Sequence, residues 1–141
     1  MLLRMAKAPV ELIKSVPLFA DLSDRELKEV AGSMKERVFE QGDTVTEEGK
    51  GGAGFFVIDE GTAKVSVGGQ DVRSLKSGDY FGEIGLIADI DRTATITADS
   101  ELRCYGMTFW DFRPLVESNA SIAWKLLQAM AAKLKEAEQD R

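Results

Sequence analysis

The chain contains no histidine and a single cysteine, Cys104, among its 141 residues. Histidine is the commonest general base and a common metal ligand, and a lone cysteine cannot form an intramolecular disulfide. Their scarcity argues against a metal-dependent enzyme on a small barrel of the cupin type. The sequence also offers no nucleophile paired with a base. We therefore expect neither catalytic residues nor a metal site.

Positive charge and long apolar runs are also scarce. The chain has 18 Lys and Arg residues against 24 Asp and Glu residues, a net charge of −6, whereas nucleic-acid-binding domains usually carry a basic face. Acidity likewise disfavours anionic membranes, and no apolar run approaches the roughly 20 residues that span a bilayer. Residues 1–7 are too short and too charged for a signal peptide. We expect a cytoplasmic protein without nucleic-acid or membrane partners.

The residues that are present divide the chain into three segments. Residues 9–34 are predicted to be helical, residues 35–108 to form strands between glycine-containing turns, and residues 109–138 to return to helix. Many short strands at this spacing are typical of a barrel, roll or sandwich. No repeat or linker interrupts the order, so we treat residues 1–141 as a single domain.

Local signals mark several element boundaries. Ser23 and Glu26 have the spacing of a capping box, which predicts a helix start. Gly68-Gly69 lies between two strand-like segments and predicts a tight hairpin. The apolar run 55–58 predicts a buried strand, and a break between the last two helices is expected at 118–119.

The last helix carries a heptad seam, with spacings of four, three, four and three: Ala123, Leu127, Met130, Leu134 and Ala137. Two interpretations remain open, because about three heptads is borderline for a coiled coil. The seam packs the helix onto the β region, or it forms a homodimer with a second copy. Trp110 and Trp124 are predicted to anchor helix packing, and a position for Trp124 near a ligand is the alternative.

The segment from Gly78 to Ile96 is the most informative about function. It holds Phe81-Gly82-Glu83, a short apolar turn, and Arg92-Thr93-Ala94. A guanidinium is a planar fork that can hold phosphate oxygens, and a helix start offers backbone N–H groups to an anion. A carboxylate can accept a hydrogen bond from a ribose hydroxyl. A carboxylate and a guanidinium on either side of such a turn suit a nucleotide: the carboxylate can bind the sugar, and the guanidinium can bind the phosphate.

These residues resemble the phosphate-binding cassette of the cyclic-nucleotide-binding domain family. That family includes the regulatory subunits of protein kinase A, cGMP-dependent kinase, cyclic-nucleotide-gated channels and the bacterial catabolite activator protein. The likeness runs from about Leu12 to Leu134 and includes segments 16–19 and 61–65. It implies an α+β, mainly β fold: an eight-stranded antiparallel, jelly-roll-like β-roll with N-terminal helices, a cassette at 81–94 and C-terminal lid helices.

The resemblance also implies a ligand, cAMP or cGMP, and roles for the matching residues. Glu83 would accept the ribose 2′-hydroxyl, and Arg92 would bind the exocyclic phosphate. Thr93 lies where family members contact the phosphate or distinguish guanine, and the alternative is a threonine chosen for β-propensity. Backbone amides of the cassette are candidate partners for phosphate or sugar. The implied ligand-binding residues are Gly82, Glu83, Ile84, Gly85, Arg92, Thr93 and Ala94, with Val65 and Leu75 as apolar walls for the base.

Three departures from the family pattern are informative. Asp91 stands where proline often precedes the arginine. The lid positions that hold adenine in the bacterial activator correspond to Ala137 and Glu138, which leaves the choice between cAMP and cGMP open. The chain ends at Arg141, before any helix-turn-helix domain of the activator type.

The resemblance therefore predicts a regulatory module in which ligand binding rearranges the terminal helices. Its protein effector is not identified by the sequence. One alternative is a fragment of a catabolite-activator-type transcription regulator that lacks its DNA-binding domain. Another is a ligand-free interaction scaffold in which Glu83 and Arg92 form only a structural salt bridge.

Overall fold

A computed structural model of the chain describes residues 8–47, 49, 54–88 and 93–140. Its helices are α1 (Val10–Lys14), a 3-10 helix (Pro17–Phe19), α2 (Asp24–Gly32), α3 (Ile84–Ile87), α4 (Phe109–Glu117) and α5 (Ala120–Gln139). Its strands are β1 (Lys35–Phe39), β2 (Thr44–Thr46), β3 (Phe55–Glu60), β4 (Ala63–Val67), β5 (Gln70–Leu75), β6 (Tyr80–Phe81), β7 (Thr95–Ala98) and β8 (Leu102–Met107). None of the helices in these ranges is long and apolar enough to cross a membrane.

The strands form two four-stranded antiparallel sheets. The first sheet has the order β1-β8-β3-β6, and the second has the order β2-β7-β4-β5. Within the described ranges, every strand pair is antiparallel. The predicted β-roll of eight strands, with helices before and after it, is therefore confirmed.

The central strands of the first sheet, β3 and β8, are buried on both faces, and this explains the continuous apolar run in β3. Phe55 and Val57 pack into a core shared with the helices. Phe56 and Ile58 point the opposite way, into the core of the roll. Successive residues of β3 thus serve two different cores, so the strand needs apolar residues at all four positions. We call these the helical core and the roll core.

The second sheet has one buried face, and its strands alternate as a half-buried strand should. In β4, Ala63 and Val65 are buried, while Lys64 and Ser66 are partly exposed. The predicted hairpin joins β4 to β5 through Gly68-Gly69, and both glycines have positive φ angles, 59° and 81°. Glycine adopts this conformation without steric cost, which is why the turn forms at this site.

The C-terminal helices break at 118–119, as predicted, but their apolar residues are used differently from the prediction. Trp110 and Trp124 are 67% and 64% exposed, so the expectation that they anchor helix packing was wrong. Phe112 is the buried residue of α4, and α5 is anchored by Ile122 and Leu126. Each tryptophan lies two residues from such an anchor, a rotation of about 200° around the helix, which turns it away from the core.

The predicted heptad seam is divided between two surfaces. Met130 packs against the helical core. Leu127 and Leu134 are 61% and 63% exposed. The packing interpretation therefore holds for Met130, and the exposed leucines leave an apolar stripe without a partner among the described residues.

An ion pair connects helix α2 to helix α5. The capping box forms as predicted: Ser23 N–H donates to Glu26 Oε1 (2.8 Å), and Glu26 N–H donates to Ser23 Oγ (3.2 Å). Lys125 Nζ of α5 lies 2.6 Å from the same Glu26 oxygen. The hydrogen bond from Lys125, followed by that from the Ser23 backbone, lowers the pKa of Glu26 to about 2.

This pair predicts an acid-sensitive contribution to stability. The pKa of Glu26 falls from 4.5 to about 2 on folding, so the pair stabilises the fold fully above pH 4.5 and is lost as the pH drops through 2. Glu26→Gln retains the capping geometry but loses the charge. We expect its free energy of unfolding to be roughly 0.5–1 kcal/mol lower at neutral pH. This difference should close near pH 2.

Urea unfolding followed by circular dichroism at several pH values measures this difference. Glu11→Gln removes an exposed carboxylate from α1 and is the matched control, which should follow the wild type throughout. If the free energy of unfolding of Glu26→Gln were lower than that of the wild type by the same amount at every pH, the charge of Glu26 would not be the cause.

Candidate functional site

A cavity of about 640 Å³ opens beside the second sheet, the β6–α3 segment and helix α5. This volume is typical of sites that take a small organic molecule. Its walls combine apolar side chains with a few charged and hydroxyl groups. The lining residues are Thr46, Val65, Arg73, Ser74, Leu75, Asp79, Tyr80, Phe81, Gly82, Glu83, Gly85, Thr93, Ala94, Ile96 and Lys133.

Strand β3 holds the start of the cassette in place. Gly78 N–H donates to the carbonyl of Ile58 (2.8 Å), and Ile58 N–H donates to the carbonyl of Asp79 (2.9 Å). The Phe81 ring then stacks on Phe56, with ring centroids 5.4 Å apart. Backbone and aromatic contacts together fix where the chain leaves β6.

The turn after β6 carries Glu83 between two buried anchors. Gly82 has a φ of +82°, a left-handed conformation that strains any residue with a Cβ atom. Phe81 before it lies in the roll core, and Leu86 after it is buried in the helical core. The backbone of Glu83 is therefore held from both sides, and its carboxylate reaches the cavity.

Glu83 has two differently placed carboxylate oxygens. Its side chain is only 17% exposed, and Oε1 forms an ion pair and hydrogen bond with Lys133 Nζ. Oε2 is buried and has no hydrogen-bond partner within the described residues. An unsatisfied buried acceptor costs on the order of 1–3 kcal/mol. The carboxylate therefore has an acceptor that would gain from a donor once that oxygen is uncovered.

Lys133 reaches the cavity from α5 and is the main residue that the sequence analysis missed. Its ammonium lies 5.7 Å from the centroid of the Tyr80 ring, close enough for a cation–π contact. Burial alone would lower the pKa of Lys133, but the hydrogen bond and negative charge of Glu83 outweigh burial and raise it above its usual value. Lys133 is therefore a cation at neutral pH.

The lid positions expected from the resemblance, Ala137 and Glu138, are exposed and do not line the cavity. Lys133 lies four residues before Ala137, one turn earlier on the same face of the helix. Lys133 could have been predicted from the sequence, because a lysine one helical turn from an expected lid position can reach the same site.

The structure brings seven of the nine predicted ligand-binding residues to this cavity: Gly82, Glu83, Gly85, Thr93, Ala94, Val65 and Leu75. Ile84 begins α3 next to Glu83, and nothing further is described of its side chain. Arg92 and its neighbour Asp91 lie outside the described residues. Within the turn, Gly85 N–H donates to the carbonyl of Gly82 (3.0 Å), and the ligand contact expected of this amide stays a prediction.

Arg73 and Ser74 also line the cavity and were missed; a β-bulge explains the position of Arg73. Val67 pairs with Gln70, and Ser66 pairs with Asp71, but the register then shifts so that Val65 pairs with Arg73. Directly paired residues point to the same side of a sheet, and Val65 faces the cavity. A hairpin without the bulge would have paired Val65 with Val72 instead.

Comparison with known proteins identifies the family of the chain. A family model described as the cyclic nucleotide-binding domain matches residues 36–119, which include the whole cassette. The cAMP-dependent protein kinase regulatory subunit of Yarrowia lipolytica is 39% identical over 93 residues, which are 64% of this chain and 25% of that protein. The cGMP-dependent protein kinase of Toxoplasma gondii is 34% identical over 94 residues, which are 67% of this chain and 10% of that protein. The chain thus spans a quarter or less of these relatives.

Solved structures show the same architecture. The N-terminal domain of a transcriptional regulator from Streptomyces coelicolor has a TM-score of 0.86 at 28% identity, covering 91% of this chain and 95% of that domain. A cyclic nucleotide-binding-like protein from Brucella abortus, 24% identical, has a TM-score of 0.70 and covers 77% of this chain and 97% of that one. With a family match over more than half of its length, the chain belongs to the cyclic nucleotide-binding domain family.

Proposed function

We propose that this domain binds a cyclic nucleotide, cAMP or cGMP, in the cavity beside Glu83, and that it regulates rather than catalyses. The observation that carries the proposal is the Glu83 carboxylate at the cavity wall, with one buried oxygen that lacks a donor within the described residues. A ribose 2′-hydroxyl is a donor of the right kind. The relatives named for cAMP and cGMP support this ligand class and leave the base open.

The rest of the cavity suits the base of a nucleotide. Val65, Leu75 and Ile96 are buried apolar residues on one wall, which suits the flat faces of a purine. Arg73 and Thr93 also line the cavity and offer polar groups to the base edge or the phosphate. This mixture of apolar walls with a few polar groups is typical of small-molecule sites.

The phosphate role is proposed for Arg92 from the resemblance of Arg92-Thr93-Ala94 to the family's cassette. Its two sequence neighbours in that motif, Thr93 and Ala94, both line the cavity. A guanidinium would hold two exocyclic oxygens through its planar fork. Ile84 remains a candidate through its backbone amide.

Calorimetric titration with cAMP and cGMP tests the proposal. We expect the wild type to bind at least one nucleotide with micromolar affinity, about −8 kcal/mol. Glu83→Ala and Arg92→Ala should each weaken binding by at least about 2 kcal/mol, because each removes a charged hydrogen-bond partner of the ligand.

Arg113→Ala is the matched control for lost positive charge, since Arg113 is exposed on α4 and pairs only locally with Glu117 among the described residues. It should bind like the wild type. Absence of binding by the wild type, with neither nucleotide raising the melting temperature, would leave the ligand-free scaffold as the better account.

A second candidate is the regulatory part of a transcription regulator. It is favoured by one observation, the likeness to the N-terminal domain from Streptomyces coelicolor. The net charge of −6 gives this chain itself little attraction for DNA. A salt-dependent DNA shift in the presence of nucleotide would support this candidate.

We also propose that the exposed stripe on α5 pairs with a second copy of the chain. Trp124, Leu127 and Leu134 are each more than 60% exposed. Together with Ala131, they follow spacings of three, four and three on a 20-residue helix, the pattern of a two-helix seam. A two-fold pair needs only one such stripe, because each copy supplies the same surface.

Sedimentation velocity over a concentration series tests this pairing. The wild type should approach a dimer with rising concentration, and Leu127→Glu should remain a monomer because it places a charge in the seam. Val72→Glu is the control, since Val72 is 58% exposed on β5; it should dimerise like the wild type. A wild type that stays monomeric at its highest soluble concentration rejects the stripe as a dimer surface.

A further inference from the structure

Helix α5 is held by an ion pair in each half. Near its start, Lys125 pairs with Glu26 beside the N-cap of α2. Eight residues later, about 12 Å along the helix axis, Lys133 pairs with Glu83 of the cassette. The first pair joins two helices, whereas the second joins the helix to a wall of the cavity.

The contact of Lys133 with the cassette involves two groups of one segment. Its ammonium binds the Glu83 carboxylate and lies over the Tyr80 ring, and both residues line the cavity. Exposed ion pairs usually contribute little. Here the Glu83 side chain is only 17% exposed, so the carboxylate has little water to replace Lys133.

Neither oxygen of Glu83 is both exposed and free of a partner in this arrangement. Lys133 occupies Oε1, and Oε2 is closed to solvent. A ribose hydroxyl that approaches Oε1 therefore meets the Lys133 ammonium already bound there, and the two donors compete for the same oxygen. The hydroxyl would then replace an ammonium, a neutral donor in place of a charged one.

We propose that Lys133 is an internal competitor of the nucleotide, sealing Glu83 in the free protein and withdrawing before the ribose can bind. This inference rests on the proposed function, because it concerns access to the same carboxylate. The apparent affinity of such a site is reduced by the fraction of molecules in which the seal is open. Lys133 thus sets the ligand concentration at which the domain responds.

Removal of the seal should tighten binding. Lys133→Met removes the ammonium and retains an unbranched apolar stem, and we expect cAMP and cGMP affinity to rise about threefold to tenfold. This direction is diagnostic, because loss of a positive charge near an anionic ligand would by itself weaken binding. Lys133→Arg keeps a cation in reach of Glu83 and should restore affinity close to that of the wild type.

Stopped-flow binding of a fluorescent cyclic-nucleotide analogue separates a seal from a ligand contact. A seal limits entry, so Lys133→Met should raise the association rate and leave the dissociation rate near its wild-type value. Lys135→Met is the charge control: Lys135 is an exposed residue of the same helix, two positions away. Its association and dissociation rates should both stay close to the wild-type values, apart from the small effect of one lost surface charge.

The outcomes distinguish this inference from the proposed function. Unchanged affinity in Lys133→Met overturns the seal, and weaker binding with faster dissociation overturns it by making Lys133 a ligand contact. If neither wild type nor Lys133→Met binds a nucleotide, the proposed function fails and the competition fails with it. A double-mutant cycle on the free energy of unfolding, with Lys133→Met and Glu83→Gln, then measures the ion pair alone. A coupling free energy between the two positions would identify the pair as a structural contact. No coupling would mean that the pair does not stabilise the fold either.

Discussion

The position of Glu83 depends on one constraint, the fixing of the β6–α3 turn between two separate cores. Phe81 belongs to the roll core and Leu86 to the helical core. Only four residues lie between these anchors, and Gly82 supplies the left-handed turn that lets the chain join them. A carboxylate carried on so short a bridge cannot move far without disturbing one core. The cavity, the Lys133 contact and the proposed ligand site all depend on that rigidity.

Much of the architecture could be predicted from local signals. The capping box at Ser23, the glycine hairpin at 68–69 and the break at 118–119 each depend on a few neighbouring residues, whose chemistry admits few conformations. The buried strand at 55–58 was also predictable, but not the reason for it. Only the fold shows that the strand serves a different core on each face.

The site was less predictable where it depends on tertiary register. The bulge in β5 turns Val72 outward and brings Arg73 opposite Val65. No pattern in the sequence predicts this bulge. Likewise, the face that α5 presents is set by Ile122 and Leu126 against the helical core, which is why the prediction for Trp124 was wrong. The roles of Arg92 and Ile84 stay predictions from the family motif.

Because one helix carries both ion pairs, the two halves of α5 should respond differently to a ligand. The Lys125–Glu26 pair lies beside the buried anchors Ile122 and Leu126, so the first half belongs to the helical core whether or not the cavity is filled. Lys133 and the residues after it depend on the cassette contact, since positions 134–140 are exposed. Any change at Glu83 therefore reaches the end of α5 first. The exposed Leu134 lies only one residue beyond Lys133, so we expect release of the seal to alter the stripe proposed for pairing with a second copy.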